Sequence, residues 1–309
     1  MCVVLHYCRS STTSAQSDVY ETVEEFGRTY HGFKQGKYVM PNDEKERDRL
    51  DLQHALWVLT LDGALSSVTF PVPPRRVLDI ATGTGLWCLE YAEQNPTATV
   101  LGTDLSPIQP TFVPVNCSFE IADAEDEWNY SDKFDFIHGR ALLSCFVDPR
   151  EIIWKAYEAL EPGGYLELQD GLFPFQFLDP QPPPEHPLRV FLENALQASH
   201  ISGRPWDNAQ HYARWMTELG FQDVVEKRYN WPCGPWAKGE KMKTLGVYFQ
   251  EDLKHAVDPI CLKLFVKVLG WSEERTKEFL ETLKPELGKR KVHLFETVLF
   301  IQGRKPLSA

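Results

Sequence analysis

Val77-Leu78-Asp79-Ile80-Ala81-Thr82-Gly83-Thr84-Gly85 decides the reading of this 309-residue chain. An apolar run of strand length is followed at once by small residues and two glycines, and a helix-length segment continues to Asn95. Glycines permit a tight turn and let a ligand approach the backbone, whose amides then face it from a helix N-terminus. Two nucleotide classes use such a turn. A dinucleotide fingerprint needs G-x-G-x-x-G; Gly83 and Gly85 fit, but Cys88 stands at the third position. The other class, a nucleoside turn, has an acid followed by G-x-G-x-G. Asp79 supplies the acid, and Ala81 stands where the first glycine is common.

Working outward, strands and helices alternate. Thr99–Asp104 reads as a second strand, Ser118–Ile121 as a short third and Phe134–His138 as a fourth. A helix from Pro149 to Leu160 leads through Pro162-Gly163-Gly164 to a fifth strand, Tyr165–Gln169. This rhythm predicts an α/β fold with a parallel sheet and helices on both faces. Upstream, residues 1–19 are rich in Ser and Thr and are expected to fray. Tyr20, Phe26, Tyr30, Phe33 and Tyr38, spaced by glycines, suggest an arm packed on the body. Pro41-Asn42-Asp43 opens a helix in which Leu50, His54, Trp57 and Leu61 recur at helical spacing, and Gly63 ends it. Downstream, 187–200 and 208–219 are amphipathic, the Pro-rich 180–187 is a loop, and Val224-Val225 suggests a sixth strand. Residues 236–284 read as helices interrupted near Gly270, before a last strand from Val292 to Ile301. The expected organisation is an arm and helix over 1–63, then one domain over 64–309. That domain carries a helical insertion at about 236–290, before its last strand.

Composition narrows the function. The chain is 43% hydrophobic and 25% charged, enough for an ordinary core. A net charge of −12 argues against a nucleic-acid partner, which calls for a basic face. The short basic run Gly288-Lys289-Arg290-Lys291 reads as a solvated loop. Seven dispersed cysteines with no CxxC pair point to reduced thiols in an intracellular, cytoplasmic setting and to no zinc site. No stretch approaches the ~20 apolar residues of a membrane helix. The apolar start Met1-Cys2-Val3-Val4-Leu5 lacks the basic flank and length of a signal peptide, and Leu307-Ser308-Ala309 is no prenylation signal.

The candidate ligand groups follow the strands. Asp104 ends the second strand, where a carboxylate can accept hydrogen bonds from two ribose hydroxyls. Asp123-Ala124 follows the third, where an acid can take an adenine amino group. Together, Asp79–Gly85, Gly102–Pro110, Phe119–Trp128, Phe134–His138 and Pro162-Gly163-Gly164 resemble the LaeA-like branch of the fungal class I S-adenosylmethionine-dependent methyltransferases. Gly27–His31 and Tyr38–Asp43 resemble it too, so the likeness covers roughly 20–170 well. It implies a Rossmann-like class I fold with a mostly parallel seven-stranded sheet, and S-adenosyl-L-methionine as cofactor.

The resemblance also implies roles. Asp79, Ala81, Gly83 and Gly85 would line the methionine and ribose side, Asp104 would hold the ribose, and Leu105 would lie against adenine. Asp123 and Ala124 would grip adenine, with Trp128 closing over it. Tyr30 and Tyr38 are packing residues or an aromatic lid on the cofactor. His138, at the end of the fourth strand, would face the transferred methyl or its acceptor and is the first candidate base; the alternative is a structural histidine. His200 and His211 stand behind it. Arg140 is left with three options: an acidic substrate, the cofactor carboxylate, or a pair with Asp148. Trp231 is a candidate wall of an apolar acceptor pocket. Asp170 follows the fifth strand without an acid at the matching position after the fourth, so a catalytic metal is not expected. The function expected is methylation of a small molecule, a fungal secondary metabolite. The alternatives are a LaeA-like regulator of secondary metabolism, with access to the nucleus, and a cofactor-binding scaffold catalysing a non-methylating reaction. The oligomeric state is left open.

Overall fold

The structure is a computed structural model that describes residues 20–178 and 180–307. The expectations for residues 1–19, for Cys2 and Cys8, and for the last two residues lie outside the described residues. The aromatic arm begins as a β-hairpin, β1 (Thr22–Glu25) and β2 (Arg28–His31), antiparallel with Thr22 opposite His31. Phe26 and Gly27 turn it with positive φ. The chain then passes Tyr38 to Pro41 and enters α1 (Glu44–Thr60), capped by Asp43, whose side chain accepts from the Glu46 N–H at 3.1 Å. Gly63 closes this helix in a left-handed conformation, its N–H donating to the Val58 carbonyl at 2.9 Å.

The central sheet is built from β3 (Arg76–Ile80), β4 (Thr99–Asp104), β5 (Cys117–Ile121), β6 (Phe134–Arg140) and β7 (Leu160–Gly171), all parallel in the order β5-β4-β3-β6-β7. After β7 come the two-residue β8 (Gln176–Phe177), β9 (Gln222–Pro232) and β10 (Leu294–Arg304). β10 runs antiparallel to β7 on one edge and to β9 on the other, while β8 pairs Leu294 and Phe295. Counted without β8, the sheet has the expected seven strands.

Helices α2 (Leu86–Gln94), α3 (Pro149–Ala159), α4 (Pro187–Ile201) and α5 (Tyr212–Leu219) follow in sequence. Between β9 and β10 lie α6 (Glu240–Cys261), a π-turn over Leu262–Val266, and α7 (Glu273–Leu283), the inserted helices the sequence predicts. One sheet face, with Leu78, Ile137, Leu166 and Ile301, packs against Ile152, Ile153 and Met216 of α3 and α5. The other face carries Trp57 of α1 and Trp87 of α2.

Several boundaries shift by a few residues, the last strand for one running Leu294–Arg304, and two differ more from the sequence reading. The Pro162-Gly163-Gly164 segment lies within β7 rather than ahead of it. Gly163 donates to the Lys305 carbonyl at 2.9 Å and Lys305 donates back to the Gly164 carbonyl at 2.8 Å, so the far end of the chain keeps it paired. The sixth strand extends to Pro232, because seven residues of β9 beyond the two valines find partners along β10. The five described cysteines form no disulfide. Among the described residues no helix is long and apolar enough to cross a membrane, and no group of three or more His, Cys, Asp or Glu is placed to hold a metal ion.

Candidate active site

A cavity of about 210 Å³ opens at the C-terminal ends of β3, β4, β6 and β7 and runs under α1 and α6. In open parallel sheets this is where ligands bind, because the chain reverses there and leaves a crevice. One end is lined by Ala81 to Thr84, Asp104, Leu105, Asp123 and Ala124, together with Tyr38 from the arm. The other end is lined by Trp57, Phe175, Trp206, Trp231 and Phe249, together with Asp170, Asp252 and Glu296.

The first end is shaped by backbone. Ala81, Gly83 and Gly85 all have positive φ, so the turn after β3 is left-handed three times within five residues. Gly85 cannot be replaced without movement: a Cβ there would stand 2.4 Å from the Phe119 ring. Ala141, at the end of the neighbouring β6, repeats the positive φ. Both strands therefore leave the sheet sharply at the cavity, at some cost in backbone strain. Asp104 spans the turn. One carboxylate oxygen accepts from the Gly83 N–H and the other from the Ser106 N–H, each at 2.8 Å. Burial pushes its carboxyl up to about 6, and these amide donors oppose the shift. Asp123 accepts from the Glu125 N–H at 2.9 Å and is bound by Lys37 of the arm. Lys37 also reaches Glu125 at 3.1 Å, so the arm is latched to the loop after β5.

Beneath this end lies a buried polar row. Asp79 and His138 are opposite each other in register on β3 and β6. His138 Nδ1 lies 2.7 Å from Asp79 Oδ1, and Thr82 Oγ1 donates to Oδ2 at 2.6 Å. A carboxylate accepts, so an imidazole proton is assigned to Nδ1. The ring is 0% exposed and stacks on Trp87 at 3.9 Å between centroids, and Nε2 is buried without a hydrogen-bond partner among the described residues. Two residues on, Arg140 Nη2 donates to His54 Nδ1 of α1 at 2.8 Å. His54 must then carry its proton on Nε2, 3.2 Å from Glu90. Burial, with Arg140 adding to it, pushes His54 down to about 3, so it is neutral. Arg140 itself is pushed down to about 10 by burial and has no carboxylate within ion-pair distance among the described residues. The Asp148 option is not taken: Asp148 caps α3, accepting from the Arg150 N–H at 2.9 Å.

The second end is assembled across the fold. Trp231 of β9 donates to Thr60 Oγ1 of α1 at 2.7 Å and meets Trp57 edge-on at 4.6 Å. Arg49 of α1 donates to Asp252 of α6 at 2.7 Å and to Glu46 at 2.7 Å, a buried trio that clamps the two helices together. Asp170 is fully buried. It accepts from the Leu142 and Gly171 N–H groups, both at 3.0 Å, and from Tyr212 Oη at 3.0 Å, while burial still pushes it up to about 7.

Of the residues singled out from sequence, Tyr38, Asp79, Ala81, Gly83, Asp104, Leu105, Asp123, Ala124, His138, Arg140 and Trp231 line this cavity. Gly85 supports it from the start of α2. Tyr30 is packed away from it under the Lys263 ammonium, 3.9 Å from the ring centroid. Trp128 is folded back on its own loop, donating to the Ala124 carbonyl at 2.9 Å, and meets Tyr130 edge-on. His200 is half-exposed beside Asp207, and His211 lies against Trp215; neither reaches the cavity. Lys37, the Arg49 trio and Glu296 were not singled out. Their signal in sequence is weak, since each is one charged residue among many and only its burial or its tertiary contacts set it apart.

Comparison with known proteins agrees with this geometry. A methyltransferase-domain family model matches residues 60–226. Methyltransferase pytC of Aspergillus terreus is 33% identical over 298 residues, covering 96% of this chain and 92% of its own. The probable methyltransferase tdiE of Emericella nidulans is 38% identical over 261 residues, covering 84% and 82%. The secondary metabolism regulator laeA of Aspergillus fumigatus is 31% identical over 305 residues, covering 97% and 81%. The chain thus belongs to the S-adenosylmethionine-dependent methyltransferases, in the branch shared by LaeA and fungal secondary-metabolite methyltransferases.

Proposed function

We propose that this protein methylates an apolar, ring-bearing small molecule of fungal secondary metabolism, and that it works in the cytoplasm without a nucleic-acid partner. The observation that carries the reading is the single cavity with two unlike ends: a glycine-shaped polar turn and an aromatic chamber continuous with it. The names of pytC and tdiE support the enzymatic class, and the net charge of −12 supports the absence of a nucleic-acid partner.

The residues of the first end suit an adenosyl cofactor. Asp104 faces the cavity with a carboxylate already oriented by two amides, which leaves outer lone pairs for ribose hydroxyls. Arg140 is a cation whose one close partner is neutral, so it suits the carboxylate of the methionyl part. His138 is better placed to orient Asp79 than to touch an acceptor, since its ring is sealed under Trp87. When bound, S-adenosylmethionine supplies an electrophilic methyl on a sulfonium, open to in-line displacement. The protein's part is alignment and exclusion of water; orientation of this kind is worth on the order of 7–11 kcal/mol at most.

Calorimetric titration with S-adenosylmethionine, S-adenosylhomocysteine and NAD tests the reading. Micromolar binding of both adenosyl compounds and none of NAD is expected. Absence of adenosyl binding would overturn it in favour of a regulatory role.

A further inference from the structure

We propose that Glu296 is the polar anchor of the acceptor site and that it selects an amine, carried on an aromatic or otherwise apolar scaffold. This deepens the proposed function and rests on that reading of the cavity.

Glu296 projects from β10 on the sheet face that also carries Val298 and Phe300, beneath α1 and α6. It lines the cavity and is 8% exposed. Among the described residues no hydrogen bond or ion pair reaches its carboxyl, although nearly every other buried acid of the cavity has donors. Asp104 and Asp170 have backbone amides, Asp79 has Thr82 and His138, and Asp252 has Arg49. Room for the Glu296 side chain is made by Gly171 across the sheet: a Cβ at that position would lie 1.8 Å from Glu296 Oε1. An unpaired carboxyl in an apolar chamber is costly, and a natural core fills such a position with an apolar residue unless a ligand uses it.

The charge around it decides which ligand. Asp252 and Asp170 both face Glu296, and burial together with these two acids pushes its carboxyl well above the usual carboxylate range. Arg49 is shared between Asp252 and Glu46, so the local sum stays negative. An anionic acceptor is therefore repelled, and a neutral hydroxyl gains no charge-assisted bond. An ammonium gains one, restores the ionised carboxylate and lies among π-faces. Trp57, Trp231 and Phe249 are within 4.6 to 5.8 Å of one another in sequence of contact, and aromatic faces attract cations.

The test uses three matched probes: 2-phenylethylamine, 2-phenylethanol and phenylacetate. Their dissociation constants for the full chain are read by ligand-observed NMR, with and without saturating S-adenosylhomocysteine. The amine is expected to bind at least about tenfold more tightly than the alcohol, with the acid weakest. Glu296→Gln should abolish the preference for the amine while leaving S-adenosylhomocysteine affinity unchanged. Glu240→Gln, which removes an equal charge from an exposed side chain at the start of α6, should keep the preference. Equal binding of amine and alcohol, no binding of either, or a preference that survives Glu296→Gln would overturn the proposal. Loss of S-adenosylhomocysteine binding in the unaltered protein would instead count against the methyltransferase reading, because the amine preference is also read without it.

Discussion

The two ends of the cavity are built by opposite strategies. The end proposed for the cofactor comes from residues 79–124, one unbroken run of strand, turn, helix and strand, with Tyr38 and Lys37 added from the arm. Its polar groups satisfy one another locally: Asp104 holds the turn that lies beside it, and Asp123 holds its own loop. The end proposed for the acceptor draws Trp57 from α1, Asp170 from β7, Trp231 from β9, Asp252 from α6 and Glu296 from β10. These positions are scattered between residues 57 and 296, and one acid has no hydrogen-bond or ion-pair partner among the described residues. A shape that is common to a family can be encoded locally, whereas a chamber matched to one acceptor has to be assembled from elements that vary independently.

The sharpest way to break the contrast is to unclamp the assembled end. Arg49→Met leaves Glu46 and Asp252 buried without their cation, so it should lower stability by about 3–5 kcal/mol. Urea unfolding checks this; a loss below about 1 kcal/mol would mean the trio does not tie α1 to α6. At the local end, Asp104→Ala should weaken S-adenosylhomocysteine binding by about a hundredfold, or about 2.7 kcal/mol, while the far-ultraviolet circular dichroism is unchanged. Unaltered affinity in calorimetry would remove Asp104 from the ribose site.

Glu296→Gln should stabilise the ligand-free protein by about 1 kcal/mol at neutral pH, because it removes a carboxyl that burial disfavours. The sign with pH follows from linkage. The unfolded carboxyl titrates near 4.5 and the folded one well above, so between these values the native state binds the extra proton and stability falls as pH rises. The Tm advantage of Glu296→Gln should therefore open from about pH 4.5 upward, with Asp170, Asp252 and Arg49 as the charged groups facing the site. A constant advantage from pH 4.5 to 8 would show that Glu296 is not held neutral by the fold. The smallest effect is expected at the latch: Lys37→Ala should tighten S-adenosylhomocysteine by about threefold if the adenine amino group competes with the ammonium for Asp123. No change in dissociation constant would take Asp123 out of the adenine site.

Legibility in the sequence follows the same division. The strand Val77–Ile80, its glycine turn and the acids at the ends of β4 and β5 were readable because each is a short-range pattern of apolar run, small residue and carboxylate. The capped helix after Asp43 and the inserted helices before the last strand were readable from spacing and end signals. Pro162-Gly163-Gly164 was misplaced because a Pro-Gly run normally ends an element, and only its pairing with Lys305, far away in sequence, keeps it in the sheet. His138 was readable as a polar residue in an apolar strand, yet its neighbour Asp79, its cover Trp87 and its lack of accessible surface all depend on packing.

The sequence alone determined the parallel α/β sheet, the nucleoside-type turn and the acids that flank it, because these depend on residues a few positions apart. Tertiary structure alone decided that His200 and His211 lie away from the cavity, that Arg140 meets a neutral histidine, and that Glu296 stands in an aromatic chamber with no partner among the described residues. The physical reason is that burial and partnership set the properties of a titratable side chain, and both are supplied by elements far apart along the chain.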